Sequence, residues 1–97
     1  MNQVVFSPAA VGQFKRLPAA ARSLLKDALR EQLSEQDPTE ETRNRFRLRR
    51  ISEFADYELR LGAWRVFYRV QGEVVTIELI GQKKGNVLLI GRKEFKL

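Results

Sequence analysis

The sequence predicts an α+β fold in which an N-terminal strand and a helical hairpin pack on an antiparallel β-sheet. Three observations carry this prediction. Apolar residues recur at helical spacing as far as Leu33 and alternate with a period of two from Tyr57. The chain has 97 residues, of which 43% are hydrophobic, enough to build one core. We therefore expect a single domain spanning residues 1–97.

The first 36 residues account for the strand and the two helices. Residues 2–6 are rich in β-branched and aromatic side chains, and Ser7 and Pro8 suit the cap and first turn of a helix. The apolar residues of this short helix lie three apart, at Val11, Phe14 and Leu17. A second helix is expected after Pro18. Its apolar stripe consists of Ala21, Leu24, Leu25, Ala28, Leu29 and Leu33.

From Tyr57 onwards the alternation predicts three antiparallel strands joined by the loops Gly62-Ala63 and Gln71-Gly72. Two-residue loops set the register by counting, and every facing pair on one side is then apolar or aromatic. These pairs are Leu61–Trp64, Leu59–Val66, Tyr57–Tyr68, Tyr68–Val75, Val66–Ile77 and Trp64–Leu79. The helical hairpin is the expected cover for this side. Residues 87–90 are apolar enough for a strand or a short helix.

The other side of this sheet is predicted to be charged. The same counting places Arg60 opposite Arg65 and Glu58 opposite Phe67, and it makes Arg65 face Glu78. Two opposed arginines destabilise a sheet unless an anion lies between them. That anion is either a carboxylate of the protein or a phosphate of a ligand, and the sequence leaves both open.

Positive charge is concentrated in the second half of the chain. Residues 1–42 carry five basic and six acidic side chains, whereas residues 43–97 carry thirteen basic and six acidic ones. Twelve of the 18 basic residues are arginines, whose planar forks match phosphate oxygens. The balance favours a nucleic-acid partner over an acidic protein partner without excluding the latter.

A cluster of basic residues with one aromatic predicts an RNA-binding surface. Four arginines recur with a period of two and share one edge if the segment is extended, with Arg50 following them. Two lysines follow the last of the three strands, and Phe67 is placed to stack on a base. The predicted RNA-binding residues are Arg43, Arg45, Arg47, Arg49, Phe67 and Lys84, with Lys83 beside them.

Several function classes are excluded by the residues that the chain lacks. It has no cysteine and no histidine, which excludes disulfides, zinc–thiolate sites and serine–histidine catalysis. No phosphate-binding loop or metal-ligand spacing occurs, so we expect neither a cofactor nor a metal. Without a long apolar run or a signal peptide, we expect a cytoplasmic protein with no membrane partner.

The run from Tyr57 to Val70, with its Arg60-Leu-Gly62-x-x-Arg65-Val-x-Tyr68 core, resembles the RelE/ParE superfamily of toxins from type II toxin–antitoxin modules. The start of the chain and residues 80–84 also resemble that family, so the likeness covers nearly the whole chain. The resemblance implies a RelE-like fold and a cognate antitoxin as partner. RelE-like members cut mRNA on the ribosome, whereas ParE-like members poison DNA gyrase.

The resemblance implies a catalytic set of Arg60, Arg65, Lys83 and Glu58. In RelE-type cleavage the ribose 2′-OH attacks the adjacent phosphate, so a base, an acid and phosphate-binding cations are needed. Arg60, Arg65 and Lys83 match basic residues of the family, whereas Glu58 replaces a lysine and is the candidate base. Leu89 stands where the family has a tyrosine or histidine, and it cannot carry a proton.

Three interpretations follow from the sequence, in this order. The first is a metal-independent, ribosome-dependent endoribonuclease that acts on mRNA. The second is a ParE-like inhibitor of DNA gyrase, which needs no proton-transfer residue. The third is an inactive homologue that still binds its antitoxin.

Overall fold

The computed structural model describes residues 1–49 and 52–95, and within them it contains two α-helices, one π-helical turn and seven strands. The strands are β1 (Gln3–Phe6), β2 (Arg45–Arg47), β3 (Tyr57–Leu61), β4 (Trp64–Gln71), β5 (Val74–Lys84), β6 (Val87–Ile90) and β7 (Lys93–Glu94). The helices are α1 (Pro8–Lys15) and α2 (Ala19–Leu29), and the π-helical turn is Arg30–Ser34. Within the described residues, neither helix has the length and hydropathy required to cross a membrane.

The sheet is built around the long strand β5. Its strand order is β2-β3-β4-β5-β6-β7, with antiparallel neighbours throughout, and β1 pairs in parallel with the first half of β5. Strand β6 pairs with the end of β5, on the side where β1 pairs with its beginning. The α+β prediction, with its strand and helical hairpin on an antiparallel sheet, is confirmed. Residues 87–90 form a strand.

The two helices begin where the capping residues predict. The Ser7 side chain accepts a hydrogen bond from the backbone N–H of Ala10 at 3.1 Å, and Pro8 is the first helical residue of α1. Pro18 precedes α2 directly. The predicted stripe on α2 is buried except for Leu24, which is 50% exposed, so its inclusion was wrong.

The first hairpin has the predicted register. Leu61 pairs with Trp64, Leu59 with Val66 and Tyr57 with Tyr68. Its loop is Gly62-Ala63. Gly62 has a φ of 58°, whereas Ala63, like the other non-glycine residues that the structure describes, has a negative φ. A positive φ at only the first loop position is typical of a type II′ turn.

The register predicted for the second hairpin was wrong. Its loop is Gly72-Glu73 rather than Gln71-Gly72, because Gly72, with a φ of 60°, occupies the first loop position. None of the three pairs predicted for this hairpin occurs. The observed pairs include Val70–Val75, Tyr68–Ile77, Phe67–Leu79, Val66–Ile80, Arg65–Gly81 and Trp64–Gln82.

A β-bulge changes which side chains of β5 lie on each side of the sheet. The register shifts between Phe67, which pairs with Leu79, and Tyr68, which pairs with Ile77, so Glu78 is the extra residue. Before the bulge, Ile77 lies on the side covered by the helices, which we call the helix face. After it, Leu79 lies on the opposite side, which we call the open face.

The main core lies between the helix face and the two helices. Tyr57 and Tyr68 stack there with ring centroids 5.3 Å apart. The Tyr68 hydroxyl donates a hydrogen bond to the carbonyl of Pro38 at 2.6 Å, and this ties the segment after α2 to the sheet. The main core consists of Ala10, Leu25, Leu29, Leu33, Tyr57, Leu59, Val66, Tyr68, Val75, Ile77 and Ile80.

A second, smaller core covers part of the open face, where only charged residues and Phe67 were expected. Its buried members are Ala55, Phe67 and Leu79, and side chains from both flanking segments pack on them: Leu48, Leu88, Ile90 and Phe95. Gly81 permits this close packing, because a Cβ atom there would lie 2.8 Å from the carbonyl oxygen of Leu89.

Replacing Tyr68 with phenylalanine is expected to lower the free energy of unfolding by about 1 kcal/mol at neutral pH, because the bond to Pro38 is lost. It also changes the pH dependence. Burial raises the pKa of Tyr68 above its ordinary value of 10.0, so the unfolded chain ionises first and the stability of the native protein falls above about pH 10.

Urea unfolding at a series of pH values from about 8 to 11 measures this effect. The decline in stability above about pH 10 should be smaller in Tyr68→Phe than in the native protein. Tyr57→Phe is the matched control, because it also removes one core hydroxyl but retains Tyr68. Equal declines in both variants would contradict the assignment to Tyr68.

Candidate functional site

The open face brings Glu58 and Arg60 together on β3. The Nε atom of Arg60 lies 2.8 Å from Oε1 of Glu58, and the side chain of Glu58 is only 13% exposed whereas that of Arg60 is 49% exposed. The Arg60 guanidinium also lies over the ring of Phe46, 4.2 Å from its centroid. Arg60 is therefore held flat by two partners, with one side of its guanidinium available to a ligand.

Arg65 is opposite Arg60, as predicted, but its charge is turned away. Its Nη1 atom donates to the carbonyls of Gly62 at 2.6 Å and Trp64 at 2.9 Å, so the side chain folds over the hairpin loop. This arrangement relieves the repulsion between the two arginines. The predicted facing pair of Arg65 with Glu78 was wrong, because the loop at Gly72-Glu73 and the bulge together bring Gly81 opposite Arg65.

Two clefts lie on the open face, and Glu58 lines both of them. The arginine cleft, of about 290 Å³, is lined by Glu41, Phe46, Arg47, Leu48, Arg49, Ser52, Glu58 and Arg60. The lysine cleft, of about 280 Å³, is lined by Glu58, Phe67, Lys83, Asn86, Val87, Leu88, Glu94 and Phe95. Of the predicted catalytic set, Glu58, Arg60 and Lys83 thus lie along the same pair of clefts. Arg65 lines neither.

The predicted arginine ladder does not form one edge. Strand β2 is only three residues long, and Arg45 points into the protein with 2% exposure. Its guanidinium donates to the carbonyls of Gln32 at 2.6 Å and Glu40 at 3.1 Å, and to the side chain of Gln36 at 2.9 Å. The prediction that Arg45 is available to RNA was therefore wrong.

The other arginines of the ladder are exposed but are distributed differently. Arg47 donates to the Tyr57 hydroxyl at 2.9 Å and also lines the arginine cleft. Arg49 lines the same cleft, whereas Arg43 lies outside it. Arg50 lies outside the described residues.

Phe67 and Lys84 have opposite surroundings. Phe67 is 1% exposed and forms the centre of the second core, so the expectation that its ring is free to stack on a base was wrong. Lys84 is exposed at the end of β5. A run of three apolar residues at 66–68 was the available signal that both sides of β4 are buried, because a strand with one solvated side alternates strictly.

Neither tyrosine of the chain reaches the clefts. The Tyr68 hydroxyl is bonded to Pro38 on the helix face, and the Tyr57 hydroxyl accepts from Arg47. Leu89 lines a different cavity on the helix face, and its neighbour Leu88 lines the lysine cleft. Among the described residues, the ionisable groups lining the clefts are the carboxylates of Glu41, Glu58 and Glu94 and the cations.

Sequence reasoning missed two contributors to this site. Phe46 is not among the predicted site residues, yet its ring supports the guanidinium of Arg60. Gly81 was not singled out, although an isolated glycine in a strand pattern signals a bulge or a close backbone approach. Here it lets β6 approach β5 closely, and Val87 and Leu88 of β6 form one wall of the lysine cleft.

Comparison with known proteins gives two similarities. A family model described as "ParE toxin of type II toxin-antitoxin system, parDE" matches residues 4–86. The fold is similar to a chain in the crystal structure of the RelBE2 toxin–antitoxin complex from Mycobacterium tuberculosis. The TM-score is 0.70 at 23% identity, covering 84% of this chain and 91% of that chain. No curated protein matches the sequence.

Replacing Arg45 with alanine is expected to lower the free energy of unfolding by about 3 kcal/mol, because the partly buried carbonyls of Gln32 and Glu40 lose a charged donor that is itself buried. Chemical denaturation measures the loss. Arg43→Ala removes the same side chain two residues away at an exposed position, and its effect should stay within about 0.5 kcal/mol. Similar effects of the two substitutions would contradict a structural role for Arg45.

Proposed function

Because the chain belongs to the ParE toxin family within the RelE/ParE superfamily, it is the toxin of a type II toxin–antitoxin module, and we propose that it acts by binding its target rather than by cutting RNA. The target we propose is DNA gyrase, which ParE-like toxins poison. A stoichiometric inhibitor needs a surface that is complementary to its target in charge and shape, but it needs no group that transfers protons.

One observation carries this proposal: within the described residues, the clefts of the open face contain no tyrosine, and the chain has no histidine. Cleavage by a 2′-OH needs a base to remove its proton and an acid for the leaving oxygen. Glu58 is the carboxylate nearest to the arginines, and its oxygen is held by Arg60 at 2.8 Å. The ion pair makes this carboxylate a partner of Arg60 rather than a free base.

The open face is suited to holding an anionic surface. Arg60 is half-exposed on its Phe46 support, and Arg49 and Lys83 line the clefts of the same face. Guanidinium groups fixed in this way bind carboxylates or phosphates with little loss of side-chain entropy. An acidic region of the gyrase–DNA complex would match them in charge.

A cognate antitoxin is the other partner, and we propose that it binds the helix face. A groove of about 530 Å³ between β1 and the helices is lined mainly by apolar side chains, among them Val4, Phe6, Phe14 and Leu29. Lys15 and Lys26 line the same groove. An acidic amphipathic segment would place its apolar side chains in the groove and its carboxylates on the lysines.

Expression of the protein alone is expected to arrest growth, and the purified protein is expected to inhibit DNA supercoiling by purified gyrase. Arg60→Ala should weaken this inhibition by about tenfold or more, since a charge-assisted contact is lost. Arg30→Ala is a charge-matched control, because Arg30 is exposed on the other side of the molecule beside Asp27. This variant should inhibit gyrase as strongly as the native protein does. Gyrase that supercoils at full rate in the presence of excess native protein would overturn the proposal.

The endoribonuclease is the second candidate, and one arrangement favours it: the Glu58 carboxylate and the Lys83 amine line a single cleft. For that activity Glu58 accepts the 2′-OH proton as the 2′-oxygen bonds to phosphorus, and the bond from phosphorus to the 5′-oxygen breaks. Lys83 stabilises the charge on the phosphorane and donates a proton to the leaving 5′-oxygen. Primer extension on mRNA from arrested cells tests it. Cuts that vanish in Glu58→Gln and Lys83→Ala but persist in Lys93→Ala, an exposed lysine on β7, would establish the ribonuclease. Arrest without cuts would exclude it.

A further inference from the structure

A fourth cavity, on the helix face, has no role in the proposed function. It lies where the end of α1, the start of β4, the end of β5 and the β6–β7 loop meet, and its volume is about 570 Å³. Cavities of this size accommodate ligands as large as a nucleotide. The side chains most relevant to binding are Gln13, Arg16, Trp64, Gln82, Leu89 and Arg92.

The charge of this cavity is entirely positive. Arg16 and Arg92 are the charged residues among those that line it, and both are exposed. Within the described part of the chain, neither guanidinium forms an ion pair with a carboxylate. Two arginine forks without acidic partners are suited to a phosphate group.

The nearby end of α1 does not oppose an anion. Carbonyl groups at the end of a helix carry partial negative charge, which would repel a phosphate. Here the guanidinium of Arg22 donates to the carbonyls of Leu17 at 2.5 Å and Lys15 at 3.5 Å. The cation of Arg22 therefore offsets the negative end of the helix beside the cavity.

Polar and aromatic groups complete the cavity. The Gln13 side chain accepts a hydrogen bond from the backbone N–H of Ile80 at 2.7 Å, which fixes the amide and leaves its nitrogen as a donor. Trp64 packs against the main core and also lines the cavity, so its indole is held in place and partly accessible. Every nucleobase has a face that can stack on such a ring.

We propose that this cavity binds one unstacked nucleotide, with its base against Trp64 and its phosphate on Arg16 and Arg92. The nucleotide is either free or part of a single strand, and both share this chemistry. The inference goes beyond the proposed function and does not depend on it, because the cavity and the two clefts lie on opposite sides of the sheet.

Trp64 is the only tryptophan of the chain, so its fluorescence reports directly on the cavity. Titration of the full-length protein with a short oligothymidylate is expected to quench this fluorescence to saturation, with an affinity that falls as salt is raised. Thymidine monophosphate is the second probe. Much tighter binding of the oligonucleotide assigns the site to a single strand, whereas equal quenching by both assigns it to a free nucleotide.

Arg16→Ala and Arg92→Ala are each expected to weaken binding by about tenfold. Both residues are exposed and neither is part of the core, so the variants should remain folded. Arg30→Ala removes the same charge elsewhere and should change the affinity by less than about twofold. Absence of quenching by either probe overturns the proposal, and so does an equal loss of affinity in all three variants. Binding seen by anisotropy of a labelled oligonucleotide without quenching also overturns it, because the strand would then lie elsewhere.

Discussion

The bulge at Glu78 is the constraint on which the candidate site depends. With an uninterrupted alternation, β5 would direct residues 75, 77, 79, 81 and 83 to the helix face. The extra residue exchanges the two faces for the side chains after Ile77, so that Ile80 lies in the main core and Leu79 lies in the second one. Lys83 consequently lies on the open face beside Glu58. A single inserted residue thus supplies both the second core and one wall of the site.

The sequence predicts the fold class, both helix starts and the first hairpin, because each rests on local chemistry. Capping residues leave few alternative start positions for a helix, and a two-residue loop leaves few alternative registers for a hairpin. The register of the second hairpin was predicted wrongly because a glycine suits either the first position of a type II′ loop or the second position of a type I′ loop, and Gly72 occupies the first. The other two-residue loops within the described chain, at Gly85 and Gly91, also begin with glycine at positive φ. The bulge lies at Glu78, three residues before Gly81, so the glycine that could have signalled an irregularity in β5 does not mark its position.

The arginines were the least predictable part of the site, because spacing along the chain does not reveal what a long side chain contacts. Among the arginines that the structure describes, four donate to backbone carbonyls and so stabilise the fold: Arg22, Arg45, Arg65 and Arg69. Arg45 donates to residues that lie 5 to 13 positions earlier in the chain, and the period-two spacing of the arginines does not reveal these contacts. The presence of an arginine in the sequence is thus a weak predictor that its side chain is available to a phosphate. The contact of Arg60 with the Phe46 ring, by contrast, is a structural property that orients the guanidinium.

The proposed antitoxin groove and the two clefts lie on opposite faces, and this determines how an antitoxin can block the clefts. The groove lies on the helix face and the clefts lie on the open face, so a partner confined to the groove would leave the clefts uncovered. The molecule measures 33 × 31 × 26 Å. An extended chain rises by about 3.3 Å per residue, so about eight to ten residues beyond the groove suffice to reach the open face. An antitoxin that anchors an apolar segment in the groove between β1 and the helices and continues around the sheet can therefore block the clefts sterically, without any rearrangement of the core.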